Sequence, residues 1–460
     1  MMRSFLLSEA ARWLGATAPV TDISFQGVCT DTRTINPGDL FVALRGERFD
    51  GHRFLADAVK AGASSLVVET LVPSIMVPQI KVADTTEALA TLAFGNRRDS
   101  NARFVAVTGS SGKTTVKEML AAILRGAGET LATRGNLNNH IGVPLTLFDI
   151  TPDHQFAVIE LGASGVGEIA HTVSITRPDV AIITNAGEAH LEGFGSYENI
   201  VATKGEIIDG VIAGGTVVLN RDDPAFDIWR NRAGERKVVS VGSEATGPAD
   251  YTCETLDSKG AEQVLRLHGP DHWTCDITFA LLGKHNRINA LLAVAAVREL
   301  GVDEDCIRAG LAALEPVPGR LEAIVLAPDI TVIDDSYNAN PTSIKAALEV
   351  LSKSPGRHVA VLGGMAELGE GAERLHEQVG EYARQLNIDT LIVVGEQAKA
   401  YRTGFGEHTV VCADHRDAIN YVETQLAAPV TVLVKGSRSS TMNLVVEGLK
   451  NKVTHSCCSG

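Results

Sequence analysis

The chain has 460 residues, of which 45% are hydrophobic and 21% charged, and this composition is ordinary for a globular protein of about three domains. A formal net charge of −15 without a basic stripe argues against a nucleic-acid binder. We find no signal peptide and no apolar run long enough to span a membrane, so we expect a cytoplasmic protein. The seven cysteines include no C-x-x-C motif, which indicates free thiols in a reducing compartment.

Residues 1–84 are predicted to form a small α/β domain. Ser8 with Glu9 is expected to cap a short helix, and Asp84 or Thr85 caps the helix that leads into the next domain. The expected elements are helices at 10–14, 54–59 and 84–94 and strands at 40–44 and 65–68.

Residues 85–316 are predicted to form a central domain in which strands alternate with helices. The strands are expected at 104–107, 156–160, 180–184, 217–220 and 238–241, and a long helix at 286–300. This alternation predicts a mostly parallel sheet covered on both faces, which binds its ligands at the carboxyl ends of the strands.

The same alternation of strand and helix patterns continues through residues 317–460 and predicts a third, Rossmann-like domain. Strands are expected at 331–334, 359–362, 391–394 and 430–434, and helices at 341–351, 373–386 and 415–425. The predicted fold class is therefore α/β with three domains.

A glycine-rich loop between the strand at 104–107 and a helix predicts a phosphate-binding site. Its residues are Gly109, Ser110, Ser111, Gly112, Lys113, Thr114 and Thr115. Lysine can neutralise the β- and γ-phosphates of a nucleotide, and a threonine hydroxyl can hold Mg²⁺. The longer common motif has glycine where Val107 stands, so an ordinary turn with an exposed lysine remains the alternative.

Polar residues near other strand ends are candidates for the same site. Glu160 ends a strand and is expected to bind Mg²⁺. His190 lies in a glycine-rich loop, and Lys204 is by itself most simply a solvated helix lysine. Asn286 and Asn289 share a helix face and could bind a base or a phosphate, or could be a cap and a surface residue.

A second polar cluster lies in the third domain. Arg320 precedes the strand that ends at Asp334 and Asp335, with Asn338 and Asn340 following. An aspartate there could bond a ribose hydroxyl, and the arginine could clamp a phosphate.

Together these segments resemble the Mur ligases of bacterial cell-wall synthesis over essentially the full chain. The resemblance rests on TGSSGKTT at 108–115, Glu160, AHLEGFG at 189–195, Lys204, HNRIN at 285–289, Arg320 and Asp335. Strings at 158–164, 167–169, 334–341, 365–369 and 434–440 resemble members that add D-alanyl-D-alanine to UDP-N-acetylmuramoyl-tripeptide. The D-N-P-R string of the sister enzyme that adds a diamino acid is absent.

The resemblance implies an ATP- and Mg²⁺-dependent ligase that works through an acyl phosphate, and we expect a monomer. It implies that Lys113, Glu160, His190 and Lys204 are catalytic, and that Lys204 binds a second Mg²⁺ as a carbamate. Thr114, Glu160 and His190 would also hold metal. Asn286, Asn289, Arg320 and Asp335 would bind ATP.

The N-terminal strings DTR, PGDLFVAL and DGH resemble a uridine-nucleotide binding domain. Thr32, Arg33, Arg48 and Phe49 would then face the UDP-substrate. Two alternatives remain open at this point. One is another ligase of the same family, such as one that adds glutamate to folate, and the other is a phosphate-loop kinase or a nucleotide-binding regulator.

Overall fold

The computed structural model describes residues 2–46, 49–242, 248–259, 262–426 and 429–456. These residues form three α/β domains along the chain. No helix in the described ranges is both long and apolar enough to cross a membrane.

The N-terminal domain is built on a parallel four-stranded sheet in the order β3-β4-β5-β6, beside an antiparallel β1-β2 pair. Its elements are β1 (Phe5–Leu6), α1 (Leu7–Trp13), β2 (Ser24–Phe25), β3 (Val28–Cys29), β4 (Leu40–Val42), a 3-10 turn (Gly51–Phe54), α2 (Leu55–Ala61), β5 (Ser65–Val68) and β6 (Gln79–Lys81). The predicted cap at Ser8 is wrong because α1 already begins at Leu7. The Ser8 hydroxyl instead donates to Asp22 at 2.8 Å, while Glu9 accepts from the Leu6 N–H at 3.0 Å.

The central domain carries a six-stranded, all-parallel sheet in the order β12-β11-β10-β7-β9-β8. Its first part comprises α3 (Thr85–Arg98), β7 (Arg103–Thr108), α4 (Lys113–Ala127), β8 (Thr130–Ala132), α5 (Gly142–Phe148), β9 (Phe156–Glu160), α6 (Glu168–Thr176), β10 (Val180–Ile183), α7 (Leu191–Phe194) and α8 (Tyr197–Asp209). Its second part comprises β11 (Thr216–Asn220), α9 (Phe226–Ala233), β12 (Lys237–Val241), β13 (Thr252–Lys259), β14 (Glu262–His268), a 3-10 turn (Pro270–His272), β15 (Thr274–Phe279), α10 (Lys284–Glu299) and α11 (Glu304–Ala312).

Both faces of the central sheet are buried, as the sequence predicts. On β7, Phe104 and Ala106 pack into one hydrophobic cluster, and Val105 and Val107 pack into the other. The sequence prediction missed the antiparallel β13-β14-β15 sheet. The alternation of buried and exposed residues along β14 is the signal that could have revealed it.

The C-terminal domain has a six-stranded sheet in the order β16-β17-β21-β18-β19-β20, parallel except for the β16-β17 pair. Its elements are β16 (Glu322–Ala327), β17 (Ile330–Asp335), α12 (Pro341–Leu351), β18 (Arg357–Leu362), a 3-10 turn (Gly369–Gly371), α13 (Ala372–Gln385), β19 (Thr390–Val394), α14 (Ala398–Phe405), β20 (Thr409–Cys412), α15 (His415–Gln425), β21 (Val430–Lys435), a 3-10 turn (Arg438–Ser440) and α16 (Asn443–Ser456). The edge strands β16 and β20 were not predicted.

The N-terminal and central domains share one hydrophobic core, which runs from α1 through α3 to the central sheet. Gly95 of α3 is part of this junction, since a Cβ there would lie 2.3 Å from the Trp13 ring. The central and C-terminal domains meet differently, across a polar cavity.

Candidate active site

A cavity of about 1010 Å³ lies between the central and C-terminal domains. It is lined by loops that follow β7, β9, β10 and β11 on one side and β17, β18 and β21 on the other. Parallel sheets of this kind bind ligands at these carboxyl ends. Except for Gly109 and Lys204, every residue predicted for the catalytic and ATP sites lines this cavity.

The predicted phosphate-binding loop connects β7 to the start of α4, and its backbone conformation requires glycine at two positions. Gly109 and Gly112 have φ values of 150° and 80°. A Cβ at Gly109 would lie 1.9 Å from the Thr184 hydroxyl, and one at Gly112 would lie 2.8 Å from Asn289 Oδ1. No glycine is needed at Val107, because β7 continues to Thr108.

Lys113 begins α4, so its side chain and the helix N-terminus face the same part of the cavity. Its Nζ donates to the Gly109 carbonyl oxygen at 2.7 Å. Burial lowers the pKa of Lys113, and the charge of Glu160 opposes that shift. The loop is also braced by Asn185, whose Oδ1 accepts from the Ser111 N–H at 3.0 Å.

Thr114 and Glu160 form an oxygen-rich pair beside the loop. The Thr114 hydroxyl donates to Glu160 Oε2 at 2.9 Å, and Asn138 Nδ2 donates to Glu160 Oε1 at 2.8 Å. Hydroxyl and carboxylate oxygens are the ligands that Mg²⁺ prefers, with water and phosphate completing the shell. The donor set therefore fits Mg²⁺ held jointly with a nucleotide. Asn138, in the loop after β8, was missed by the sequence prediction.

His190, predicted as a metal ligand, has a side-chain partner in the C-terminal domain. Its Nδ1 is hydrogen-bonded to Glu367 Oε2, and the Glu192 N–H donates to the Glu367 carbonyl oxygen at 3.1 Å. Burial is the main cause that lowers the pKa of His190. Within the described ranges, no group of three or more His, Cys, Asp or Glu side chains could hold a metal.

Lys204 is buried behind the cavity rather than solvated, with 2% of its surface exposed. Its Nζ lies 5.2 Å from the centroid of the Phe194 ring, and no carboxylate in the described part of the chain forms an ion pair with it. Burial, followed by the charge of Lys113, lowers the pKa of Lys204 to about 7. Near neutral pH a large share of this side chain is therefore an uncharged amine.

The asparagines predicted for ATP binding are neither a helix cap nor surface residues. Gly283 precedes α10 as its cap position, and both asparagines are buried at the cavity wall. Asn289 Nδ2 donates to Asn286 Oδ1 at 2.9 Å, and Asn286 Nδ2 donates to the Leu282 carbonyl oxygen at 2.7 Å. The two amides therefore hold each other in fixed orientations.

Arg320 and Asp335 reach the cavity from the C-terminal domain. The Arg320 guanidinium lies 4.4 Å from the centroid of the Tyr337 ring. Asp335 Oδ2 accepts from Lys435 Nζ at 2.5 Å, and its Oδ1 accepts from the Leu321 N–H at 3.2 Å. Burial raises the pKa of Asp335, while Lys435 opposes that shift. Lys435, a buried partner at the end of β21, was missed by the sequence prediction.

Three of the four residues predicted for the uridine nucleotide are described by the structure, and these three lie apart from this cavity. Of those that the structure describes, Thr32, Arg33 and Phe49 are not among its lining residues. Arg33 forms a bidentate ion pair with Asp31, in which Nε donates to Oδ1 at 2.9 Å and Nη2 donates to Oδ2 at 2.6 Å. This pair lowers the pKa of Asp31 to about 2. Phe49 stacks on Phe54 with centroids 5.6 Å apart. Arg48 lies outside the described residues.

Comparison with known proteins matches three family models in chain order. They are "Mur ligase family, catalytic domain" at 24–97, "Mur ligase middle domain" at 107–297 and "Mur ligase, glutamate ligase domain" at 319–438. The UDP-N-acetylmuramoyl-tripeptide--D-alanyl-D-alanine ligase of Escherichia coli K12 is 45% identical over 457 residues, covering 98% of this chain and 100% of that protein. The enzyme of the same name from Bacillus subtilis is 33% identical, covering 92% and 93%.

Solved structures give the same assignment. MurF from Acinetobacter baumannii superposes with a TM-score of 0.90 at 34% identity, covering 98% of this chain and 99% of that one. MurF ligase from Thermotoga maritima in complex with ADP has a TM-score of 0.84 at 29% identity, covering 94% and 98%. A folylpolyglutamate synthase from Mycobacterium tuberculosis superposes with a TM-score of 0.63 at 20% identity, covering 80% of this chain and 94% of that one, and this likeness shows a common fold. The chain therefore belongs to the Mur ligase family, among the UDP-N-acetylmuramoyl-tripeptide--D-alanyl-D-alanine ligases.

Proposed function

We propose that this chain is an ATP-dependent ligase that joins D-alanyl-D-alanine to UDP-N-acetylmuramoyl-tripeptide in peptidoglycan precursor synthesis. ATP phosphorylates the terminal carboxylate of the tripeptide, the dipeptide amine displaces phosphate from the acyl phosphate, and ADP and phosphate are released. A carboxylate is a poor electrophile, so it must be activated by phosphorylation before an amine can attack it and form the amide bond. The observation that carries the proposal is the shared cavity, in which a phosphate loop faces the strand ends of a second α/β domain.

The central domain supplies the groups for phosphoryl transfer. Mg²⁺, when bound, neutralises phosphate charge, and Thr114 and Glu160 are the residues that would hold it. Lys113 leaves the Gly109 carbonyl and stabilises the negative charge that develops on the transferring phosphoryl group. Asn286 and Asn289, with Gly109, Ser110, Ser111, Gly112 and Thr115 of the loop, complete this side of the ATP site.

Two further residues are proposed to hold metal: His190 together with Glu160, and Lys204, as a carbamate, for a second Mg²⁺. Because an uncharged amine adds to CO₂ and an ammonium does not, a pKa near 7 prepares Lys204 to form a carbamate. The carbamate would put an anion beside Lys113 in place of an unpaired cation. This anion would stabilise the charged form of Lys113 and would attract a divalent metal ion. In a Lys204→Ala variant, added short carboxylates should therefore restore part of the activity.

Arg320 and Asp335 contribute to ATP binding from the C-terminal domain, so the cavity must close around the nucleotide. We place the domain boundaries at 1–84 for the UDP-substrate domain, 85–316 for the ATP domain, and 317–460 for the domain that binds the incoming dipeptide. Thr32, Arg33, Arg48 and Phe49 are the proposed contacts to the uridine nucleotide. We further propose that the protein acts as a monomer in the cytoplasm.

The test is phosphate release by the purified protein with ATP, UDP-N-acetylmuramoyl-tripeptide and D-alanyl-D-alanine, omitting each in turn. Release that requires all three supports the proposal. Phosphate release that requires diaminopimelate, lysine or glutamate instead of the dipeptide would point to a sister ligase. A stable phosphorylated product formed without any amine would point to a kinase.

A further inference from the structure

Two loops of opposite charge emerge side by side on the C-terminal wall of the cavity. Strands β18 and β21 are parallel neighbours, and they lead into the segments that carry Glu367 and Arg438. The Gly363 N–H donates to the Lys435 carbonyl oxygen at 2.8 Å, and the Ser437 N–H donates to the Gly364 carbonyl oxygen at 3.0 Å. The carboxylate and the guanidinium are therefore presented from one connected edge.

The segment that carries Glu367 is held firmly in place. The Met365 N–H donates to His376 Nε2 at 2.9 Å, and the Tyr401 hydroxyl donates to the Gly363 carbonyl oxygen at 3.1 Å. Burial lowers the pKa of His376, so its ring stays neutral and able to accept that bond. Glu367 itself has a φ of 61°, a left-handed conformation that is uncommon for glutamate. The backbone thus aims this side chain at the cavity.

Glu367 is more open to solvent than Glu160 and Asp335, two other carboxylates of the cavity. The Glu160 carboxylate accepts hydrogen bonds from Thr114 and Asn138, and the Asp335 carboxylate accepts one from Lys435. The Glu367 carboxylate bonds to His190 across the domain junction, and 54% of its side chain is exposed. The Glu367 carboxylate therefore still has oxygen lone pairs that can accept hydrogen bonds from a cation entering the cavity from solution.

Arg438 offers the complementary charge. It begins the short 3-10 turn after β21, lines the cavity and is exposed. Its Nη1 donates to the Tyr337 hydroxyl at 3.3 Å, and no carboxylate within the described ranges pairs with it. A guanidinium of this kind can bind a carboxylate through two parallel hydrogen bonds. Ser437 and Ser439 line the cavity beside it, and their hydroxyls are hydrogen-bonded to each other at 3.1 Å.

We propose that Glu367 binds the ammonium group of the incoming dipeptide and that Arg438 binds its terminal carboxylate. This assignment rests on the proposed function. A free dipeptide is a zwitterion, and its two ends match the two charges on neighbouring strand ends. This orientation places the amino group beside His190, to which Glu367 is hydrogen-bonded.

The experiment measures steady-state KM values for all three substrates in Glu367→Gln and in a matched control, Glu370→Gln. Glu370 lies three residues further along the same segment, is exposed and does not line the cavity. Loss of a charged hydrogen bond should raise the KM for D-alanyl-D-alanine about 10- to 100-fold in Glu367→Gln. The KM values for ATP and the UDP-substrate should stay within about twofold, and the control should match the wild type.

A second comparison tests the other end of the dipeptide. The wild type should discriminate against D-alanyl-D-alanine amide, which lacks the terminal carboxylate, and Arg438→Gln should lose most of that discrimination. An unchanged dipeptide KM in Glu367→Gln, an equal rise for all three substrates, or full discrimination in Arg438→Gln would overturn the assignment. If the wild type itself shows no dependence on the dipeptide, the proposed function fails instead.

Discussion

Lys204 should destabilise the fold in its unmodified form, and replacing it with methionine should reveal by how much. Moving its pKa from 10.5 to about 7 corresponds to about 5 kcal/mol of unfolding free energy, at about 1.36 kcal/mol per pKa unit. The Lys204 side chain is 2% exposed, so solvent screens its charge little. Methionine keeps the length and apolar stem of lysine and removes the charge.

The cost depends on pH with a definite sign. Below pH 7 the ammonium is charged in both states, and the folded protein carries the full cost. Between pH 7 and 10.5 the folded state is neutral while the unfolded state still binds a proton, so stability rises with pH. Above pH 10.5 both states are neutral and the cost vanishes. The advantage of Lys204→Met over the wild type should therefore shrink by about 3.5 kcal/mol between pH 7 and pH 10.

The assay is urea unfolding followed by the fluorescence of Trp229. This indole is buried, and it donates to the Val201 carbonyl oxygen of α8 at 2.9 Å, so it reports on the helix that carries Lys204. The chain has three tryptophans. The substitutions Trp13→Phe and Trp273→Phe leave Trp229 as the only one. Buffers free of CO₂ and containing EDTA keep the lysine unmodified and metal-free. A wild-type-to-variant difference that stays constant from pH 7 to 10 would refute the reasoning.

Three further predictions concern the site. Lys113→Ala should abolish phosphate release, because the variant loses the ammonium that stabilises the phosphoryl group; near-normal turnover would remove the phosphate-loop assignment. Arg33→Ala should raise the KM for the UDP-substrate and leave that for ATP unchanged, and an equal rise in both would exclude the N-terminal domain from substrate binding. Asp335→Asn should lower the free energy of unfolding by about 3–5 kcal/mol in chemical denaturation, because it leaves the ammonium of Lys435, 3% exposed, without its carboxylate. An unchanged unfolding midpoint would argue that this pair is not a buried ion pair in solution.

The local features of the site were predictable from the sequence because their signals are local. The phosphate loop is recognised by a strand, two glycines and a lysine within a dozen positions. Glu160 is recognised because it ends an apolar strand. The helices Pro341–Leu351 and His415–Gln425 were predicted with their observed bounds, since proline at the first turn and Asp414 before the second helix mark clear starts.

The features that were missed depend on long-range contacts. His190 and Glu367 are 177 positions apart, and only folding brings a central-domain loop against the end of β18. Lys435 lies in an apolar strand, where nothing local indicates that Asp335 pairs with it. Lys204 has the pattern of a surface lysine, and its burial results from the packing of α8 against the central sheet.

The most direct test of the ligase mechanism follows an oxygen atom. UDP-N-acetylmuramoyl-tripeptide labelled with ¹⁸O in both oxygens of its terminal carboxylate is incubated with the protein, ATP and D-alanyl-D-alanine. An acyl phosphate intermediate predicts that each amide bond retains one ¹⁸O and that the other leaves in the released phosphate, detected by mass spectrometry. Unlabelled phosphate, formed while the peptide product accumulates, would contradict the account.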